Sequence, residues 1–195
     1  HIMKIYSTYG IKDFIICLGY KANIIKDYFL HYQSRNNDFT INLGKRNNIR
    51  FHNQHDELDW NVTLVDTGID TLKGGRLKRI EKYLSDDTNL LTYGDGLADI
   101  NIKELIEFHK NQNRIVTISG VHPPARFGEL IIEKNKIVSF EEKSQTSQGT
   151  INGGFMVFNS ELMDYLTEDE KCDLEKGVFE KLAKEEKLSV FRHNG

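Results

Sequence analysis

The chain has 195 residues, 38% of them hydrophobic and 28% charged, with a formal net charge of −3. That length supports one domain with a real core. The acidic balance argues against broad electrostatic capture of nucleic acid, while leaving room for a local basic pocket. No apolar run is long enough to cross a bilayer. The two cysteines, Cys17 and Cys172, form no spacing motif, so a reducing, cytoplasmic setting is expected.

Ile2, Ile5, Tyr6 and Tyr9 have helical spacing, so the opening His1-Ile2-Met3 reads as the interior of a helix. Residues 13–18 read as a strand with Cys17 buried inside it, followed by a turn at Gly19-Tyr20-Lys21. Ile24, Ile25, Tyr28 and Phe29 mark an amphipathic helix opened by Asn23. Tyr20, Tyr28 and Phe29 are expected to pack inside. Residues 33–60 are rich in Asn, Asp and His and read as irregular, with short extended pieces.

Residues 62–65 read as a short strand. Leu77, Ile80, Tyr83 and Leu84 mark a helix starting near Gly75, and residues 90–93 form the next strand. Asn101 and Glu104 make a capping-box-like pair before Leu105, Ile106 and His109. Further strands are expected at 114–119 and 151–158, with a hairpin from 129–132 and 136–140. Helices near 161–166 and 174–185 and a strand at 188–192 complete the pattern. Repeated strand–helix–strand units imply an α/β fold with a mostly parallel sheet and helices on both faces.

Three clusters could carry chemistry. In the first, Leu90-Leu91-Thr92-Tyr93 runs into Gly94-Asp95-Gly96. A buried strand ending there delivers the Asp95 carboxylate to the edge of a sheet, where open α/β proteins bind ligands. Such a carboxylate suits Mg²⁺ shared with substrate phosphates; alone, the segment reads more simply as a turn.

In the second, Asp66-Thr67-Gly68 is followed by Thr71, Gly74, Gly75 and Arg76. Glycines opening a helix expose backbone N–H groups that attract phosphate, and Arg76 adds a planar cationic fork. The third joins Arg126-Phe127-Gly128-Glu129, Glu141-Glu142-Lys143 and Asn152-Gly153-Gly154. A carboxylate suits sugar hydroxyls, an ammonium suits a phosphate, and Asn152 both donates and accepts. His52, His55 and Asp56 fit no zinc spacing and read as surface loop; His109 and His122 read as structural.

These runs, in this order, resemble the sugar nucleotidyltransferases over nearly the whole chain. The most specific stretch is Trp60-Asn61-Val62-Thr63-Leu64-Val65-Asp66-Thr67-Gly68, joined by Gly74-Gly75-Arg76-Leu77-Lys78-Arg79, Thr92-Tyr93-Gly94-Asp95-Gly96 and Ile151-Asn152-Gly153-Gly154-Phe155. The resemblance implies a Rossmann-like sheet in a single domain over residues 1–195, incomplete at both ends. It implies a reaction joining CTP to glucose 1-phosphate with release of pyrophosphate, assisted by Mg²⁺, and a homo-oligomer. Another nucleoside triphosphate of the same chemistry stays open.

Carried over by position, Asp95 is a metal ligand, and Arg76, Asp95 and Lys143 are the catalytic set. Thr71, Gly74, Gly75, Arg76 and Gly94 contact the nucleotide. Gly128, Glu142, Lys143, Asn152 and Gly153 hold the sugar phosphate. The family's Gly-rich loop and second metal aspartate have no counterpart in residues 1–195, so this stretch by itself is expected to be catalytically weak. A glycosyltransferase is disfavoured, because Asp95 is followed by Gly96-Leu97 rather than by a second carboxylate two residues on. A non-catalytic nucleotide-sugar-binding subunit remains an alternative.

Overall fold

The computed structural model describes residues 1–44, 48–53, 57, 59–122, 129–133, 136–141 and 150–193, with 129–133 and 137–141 described as backbone. The chain forms two compact units. One holds Met3–Leu84 and Met163–Val178; the other holds His1–Ile2, Ser85–Leu162 and Phe179–Gly195. The fold is α/β, as the alternation of strand and helix signals predicts.

In the first unit, α1 (Ile2–Thr8, entering from the other unit) leads to β1 (Asp13–Leu18). β1 pairs in parallel with β4 (Asn61–Asp66), from Asp13 opposite Asn61 to Leu18 opposite Asp66. Their apolar runs are largely half-buried, with Leu18 buried at the end of β1, and Trp60 meets the Phe14 ring edge-on at 5.2 Å.

Between these strands lie α2 (Ala22–Leu30), α3 (Tyr32–Asn36) and an antiparallel hairpin, β2 (Phe39–Ile41) with β3 (Ile49–Phe51). This region contains more regular structure than its Asn-rich composition suggests. α2 is not opened by Asn23. Lys21 stands at its start in the left-handed region (φ 59) without a side-chain cap, and Asn23 falls inside the first turn. Tyr28, Phe29 and Tyr32 form an aromatic cluster. Contrary to expectation Tyr20 is 73% exposed, on the Gly19–Lys21 turn with the Lys21 ammonium 5.4 Å from its ring, and Tyr28 is exposed as well.

α4 (Lys73–Arg79) is shorter than the sequence suggests and passes into a 3₁₀ turn at Glu81–Tyr83. The return segment 163–178 completes this unit by backbone bonds. Leu72 N–H donates to the Glu170 carbonyl at 2.8 Å, and Gly75 N–H to that of Cys172 at 3.1 Å.

The second unit is built on a four-stranded sheet in the order β10-β6-β9-β5. β5 is Thr88–Thr92, β6 Val116–Val121, β9 Ile151–Asn159 and β10 Leu188–Arg192. β10 and β6 are parallel, while β9 runs antiparallel to both β6 and β5. β7 (Glu129–Glu133) and β8 (Lys136–Glu141) form the expected hairpin.

α5 (Ile102–Gln112) is capped as predicted: Asn101 Oδ1 accepts the Glu104 N–H at 3.3 Å, and Asn101 Nδ2 donates to Glu104 Oε1 at 2.7 Å. Its Ile102 and Leu105 are fully buried with Phe155 to Phe158 of β9. His109 is structural. Its Nε2 faces Asn159 Oδ1 at 2.9 Å and its Nδ1 faces Thr117 Oγ1 at 2.8 Å, in a chain that continues to Ser189.

The predicted helix at 174–185 is broken. Lys176 and Gly177 leave helical geometry, Gly177 with φ 98, and only α6 (Glu180–Lys184) continues as α-helix. The 161–166 stretch is a 3₁₀ turn, Ser160–Tyr165.

Candidate functional site

In the first unit, the parallel β1–β4 pair ends at Leu18 and Asp66, and the chain turns at Gly19 and Thr67-Gly68. Arg76 projects from α4 into these turns. Its Nη1 donates to the Leu18 carbonyl at 2.9 Å and to Thr67 Oγ1 at 2.8 Å, and its Nη2 donates to the Ile69 carbonyl at 3.2 Å. Gly19 is required by this approach: a Cβ there would lie 2.6 Å from Arg76 Nη2. Arg79 makes a second clasp. Its Nη1 bonds the Thr67 carbonyl at 2.7 Å and Thr71 Oγ1 at 2.9 Å, and its Nη2 bonds the Glu168 carbonyl at 2.7 Å.

Thr71 is thereby buried, with its hydroxyl turned to Arg79. Gly74 and Gly75 are buried too. A Cβ on Gly74 would sit 2.8 Å from the Cys172 carbonyl oxygen and from its Sγ, and one on Gly75 would strike the Asp169 carbonyl. These glycines admit the backbone of 169–172, and the Gly75 N–H donates to the Cys172 carbonyl. Cys17, on β1, has its thiol pushed up to about 11 by burial, opposed by the Arg76 charge.

In the second unit, β5 ends at Thr92 and delivers the Gly94-Asp95 turn as the sequence predicts. Asp95, Gly94 and Gly96 are exposed. Among the described residues beyond its chain neighbours, nothing lies within 4 Å of where a Cβ on either glycine would sit, and neither has positive φ. Asp95 is thus presented on an exposed turn, open to approach by a ligand.

The turn is anchored on both sides. Tyr93 N–H donates to the Gly154 carbonyl at 3.3 Å. Asp99 Oδ1 accepts from His193 Nε2 at 2.9 Å, while His193 N–H donates to the Gly120 carbonyl. The His193 hydrogen bond, followed by backbone N–H donation and the His193 charge, holds the Asp99 carboxyl below its usual range.

Asn152, Gly153 and Gly154 form a bulge in β9. Ile118 faces Met156 and Gly120 faces Asn152, so β9 spends extra residues there. Bulges of this kind commonly re-aim side chains beside functional sites. Asn152 is exposed, with Oδ1 accepting Gly154 N–H at 2.8 Å and Nδ2 donating to Tyr93 Oη at 3.2 Å. Ser119 and Val121 close over Gly153.

Gly128, Glu142 and Lys143 lie outside the described residues, as do Arg126, His55 and Asp56. Thr67, Arg79, Tyr93, Asp99 and His193 were not singled out in sequence as site groups. Only Tyr93 and Thr67 carried a signal, each standing immediately before a glycine turn.

The donor set bears on a metal. Among the described residues no three His, Cys, Asp or Glu groups converge. A Mg²⁺ ion held partly by substrate phosphates needs only one or two carboxylates from the protein, and Asp95, exposed on its turn, fits as one.

The nucleotidyl transferase family model matches residues 2–194. The glucose-1-phosphate cytidylyltransferase of Salmonella typhi is 44% identical over 196 residues, covering 100% of this chain and 75% of that protein. The probable glucose-1-phosphate cytidylyltransferase of Bacillus subtilis is 40% identical over 100% of this chain and 75% of its own length. The crystal structure of HddC from Yersinia pseudotuberculosis complexed with GMP-PN superposes with a TM-score of 0.64 at 20% identity, over 98% of this chain and 74% of HddC, and shares its fold. With a match that runs from Ile2 almost to the last residue, the chain belongs to the nucleotidyl transferase family.

Proposed function

We propose that the chain carries glucose-1-phosphate cytidylyltransferase activity, converting CTP and α-D-glucose 1-phosphate into CDP-glucose and pyrophosphate. The observation that carries this reading is the 44% identity to the Salmonella typhi enzyme along the whole of this chain. A phosphate oxygen of the sugar attacks the α-phosphorus in line. One P–O bond forms, and the bond from the α-phosphorus to the bridging oxygen breaks, its electron pair leaving with pyrophosphate. This chemistry needs no covalent nucleophile; it needs positioning and neutralised charge.

On the nucleotide side we place Thr71, Gly74, Gly75, Arg76 and Gly94. Arg76 acts from its clasp on Leu18, Thr67 and Ile69 as a preorganised positive charge, and Gly19 leaves room for that clasp. On the sugar-phosphate side we place Asn152 and Gly153 with Gly128, Glu142 and Lys143. Asp95 would hold Mg²⁺, which when bound supplies charge neutralisation on the triphosphate. Without such a cation, a carboxylate beside that anion would repel it. The reading includes a homo-oligomer acting in the cytoplasm, with CDP-glucose passing to a sugar-modifying reaction of polysaccharide synthesis.

The test is CDP-glucose formation by the full-length protein with CTP, UTP, dTTP, ATP or GTP. CTP should give the highest kcat/KM. Asp95→Asn should lower kcat by about 10²-fold or more, as expected when a group stabilising transition-state charge is lost, with the melting temperature unchanged. A better rate with another triphosphate would overturn the base assignment; an active Asp95→Asn variant would overturn the metal site.

A further inference from the structure

The turn carrying Asp95 is rooted in Tyr93, and the same residue reaches the Asn152 bulge. Thr92 Oγ1 donates to the Gly154 carbonyl at 3.0 Å, beside the Tyr93 N–H bond to that oxygen. Gly154 has φ +81, and a Cβ built on it would lie 3.2 Å from Cδ2 of the Tyr93 ring. The ring thus rests on a backbone that only glycine presents readily. At the far end of the ring, Tyr93 Oη accepts from Asn152 Nδ2 at 3.2 Å. Asn152 cannot flip its amide without loss, because Oδ1 already accepts the Gly154 N–H at 2.8 Å. The carboxamide is therefore held at both ends, by the bulge's own backbone and by a phenol from the turn bearing Asp95.

We propose that Tyr93 is a positioning residue for the sugar phosphate: its hydroxyl fixes the Asn152 carboxamide, and its ring joins that carboxamide to the Asp95 turn. The inference rests on the cytidylyltransferase reading and on Asn152 serving the sugar phosphate. As a positioning residue it acts through Asn152, whose carboxamide it holds.

Tyr93→Phe keeps the ring and removes the hydrogen bond from Asn152 Nδ2. In the full-length protein it should raise KM for glucose 1-phosphate roughly three- to tenfold, the size of one net hydrogen bond. KM for CTP and the melting temperature should stay as in the wild type. A tyrosine that merely packed would move the melting temperature or both KM values together. Added to Asn152→Ala, Tyr93→Phe should cause no further rise, since the two act as a unit. The proposal is overturned if Tyr93→Phe leaves KM for glucose 1-phosphate unchanged, or if its effect persists undiminished in Asn152→Ala.

The hold on Asn152 is also read without turnover, from its side-chain amide ¹H–¹⁵N resonances. Tyr93→Phe should shift them, and unshifted resonances overturn the proposal. If the wild type makes no CDP-glucose while those resonances do shift, the substrate reading falls and the hold on Asn152 stands.

Discussion

Asp99 and His193 show how one hydrogen bond ties a loop to pH. Asp99 is a highly exposed carboxylate, yet the His193 bond holds its carboxyl below the ordinary range. A carboxyl with a depressed folded-state pKa contributes stability above its unfolded pKa and loses it as pH falls through the folded value. His193→Ala should therefore raise the Asp99 midpoint toward the ordinary value in an NMR titration. It should lower stability to urea at neutral pH and match the wild type once pH lies below the folded midpoint; an unmoved Asp99 midpoint would exclude the link. None of this could be read from sequence, because Asp99 and His193 are 94 residues apart and meet only through the sheet. Asp95, by contrast, was readable, since an apolar run ending in Gly-Asp-Gly specifies its own strand and turn.

At the scale of elements, glycines that look alike in sequence have opposite surroundings. Gly74 and Gly75 sit in α4, where alanine is ordinarily better than glycine by about 0.5–1 kcal/mol. Here the carbonyls of Cys172 and Asp169 occupy the space a side chain needs. Gly74→Ala and Gly75→Ala should each cost about 1–3 kcal/mol in urea unfolding, the usual penalty of overpacking against atoms that cannot yield. Gly94→Ala, whose Cβ would have open space among the described residues, should leave unfolding unchanged and raise KM for CTP instead. Equal stability losses at both places would refute this contrast. The helix at α4 was predicted from its apolar spacing, but sequence does not reveal that the backbone of 169–172 packs against its glycines. Similarly, the 174–185 periodicity was real, yet Gly177 at positive φ interrupts it. Lys21 at positive φ opens α2 where a polar cap was expected, because a left-handed turn can start a helix without one.

At the scale of the molecule, each unit is assembled from separated stretches of chain. The alternation of elements predicted the α/β class and most strands, while the antiparallel run of β9 and the grouping into units depend on long-range pairing that local periodicity does not encode. Residues 163–178 supply the first unit with partners for Leu72 and Gly75, and with carbonyls for Lys78 and Arg79. A polypeptide of residues 3–84 should accordingly lack the cooperative urea transition that it regains when 163–178 is joined to it by a flexible linker; a cooperative transition in 3–84 alone would refute this. The same discontinuity sets a delay during synthesis. The ribosome releases residue 163 about 100 residues after β4 is complete. At about 5–20 residues per second, that is of order 5–20 s during which β1 and β4 wait without it. The nascent chain passes through an interval in which its apolar strands are open to chaperones and to neighbouring copies.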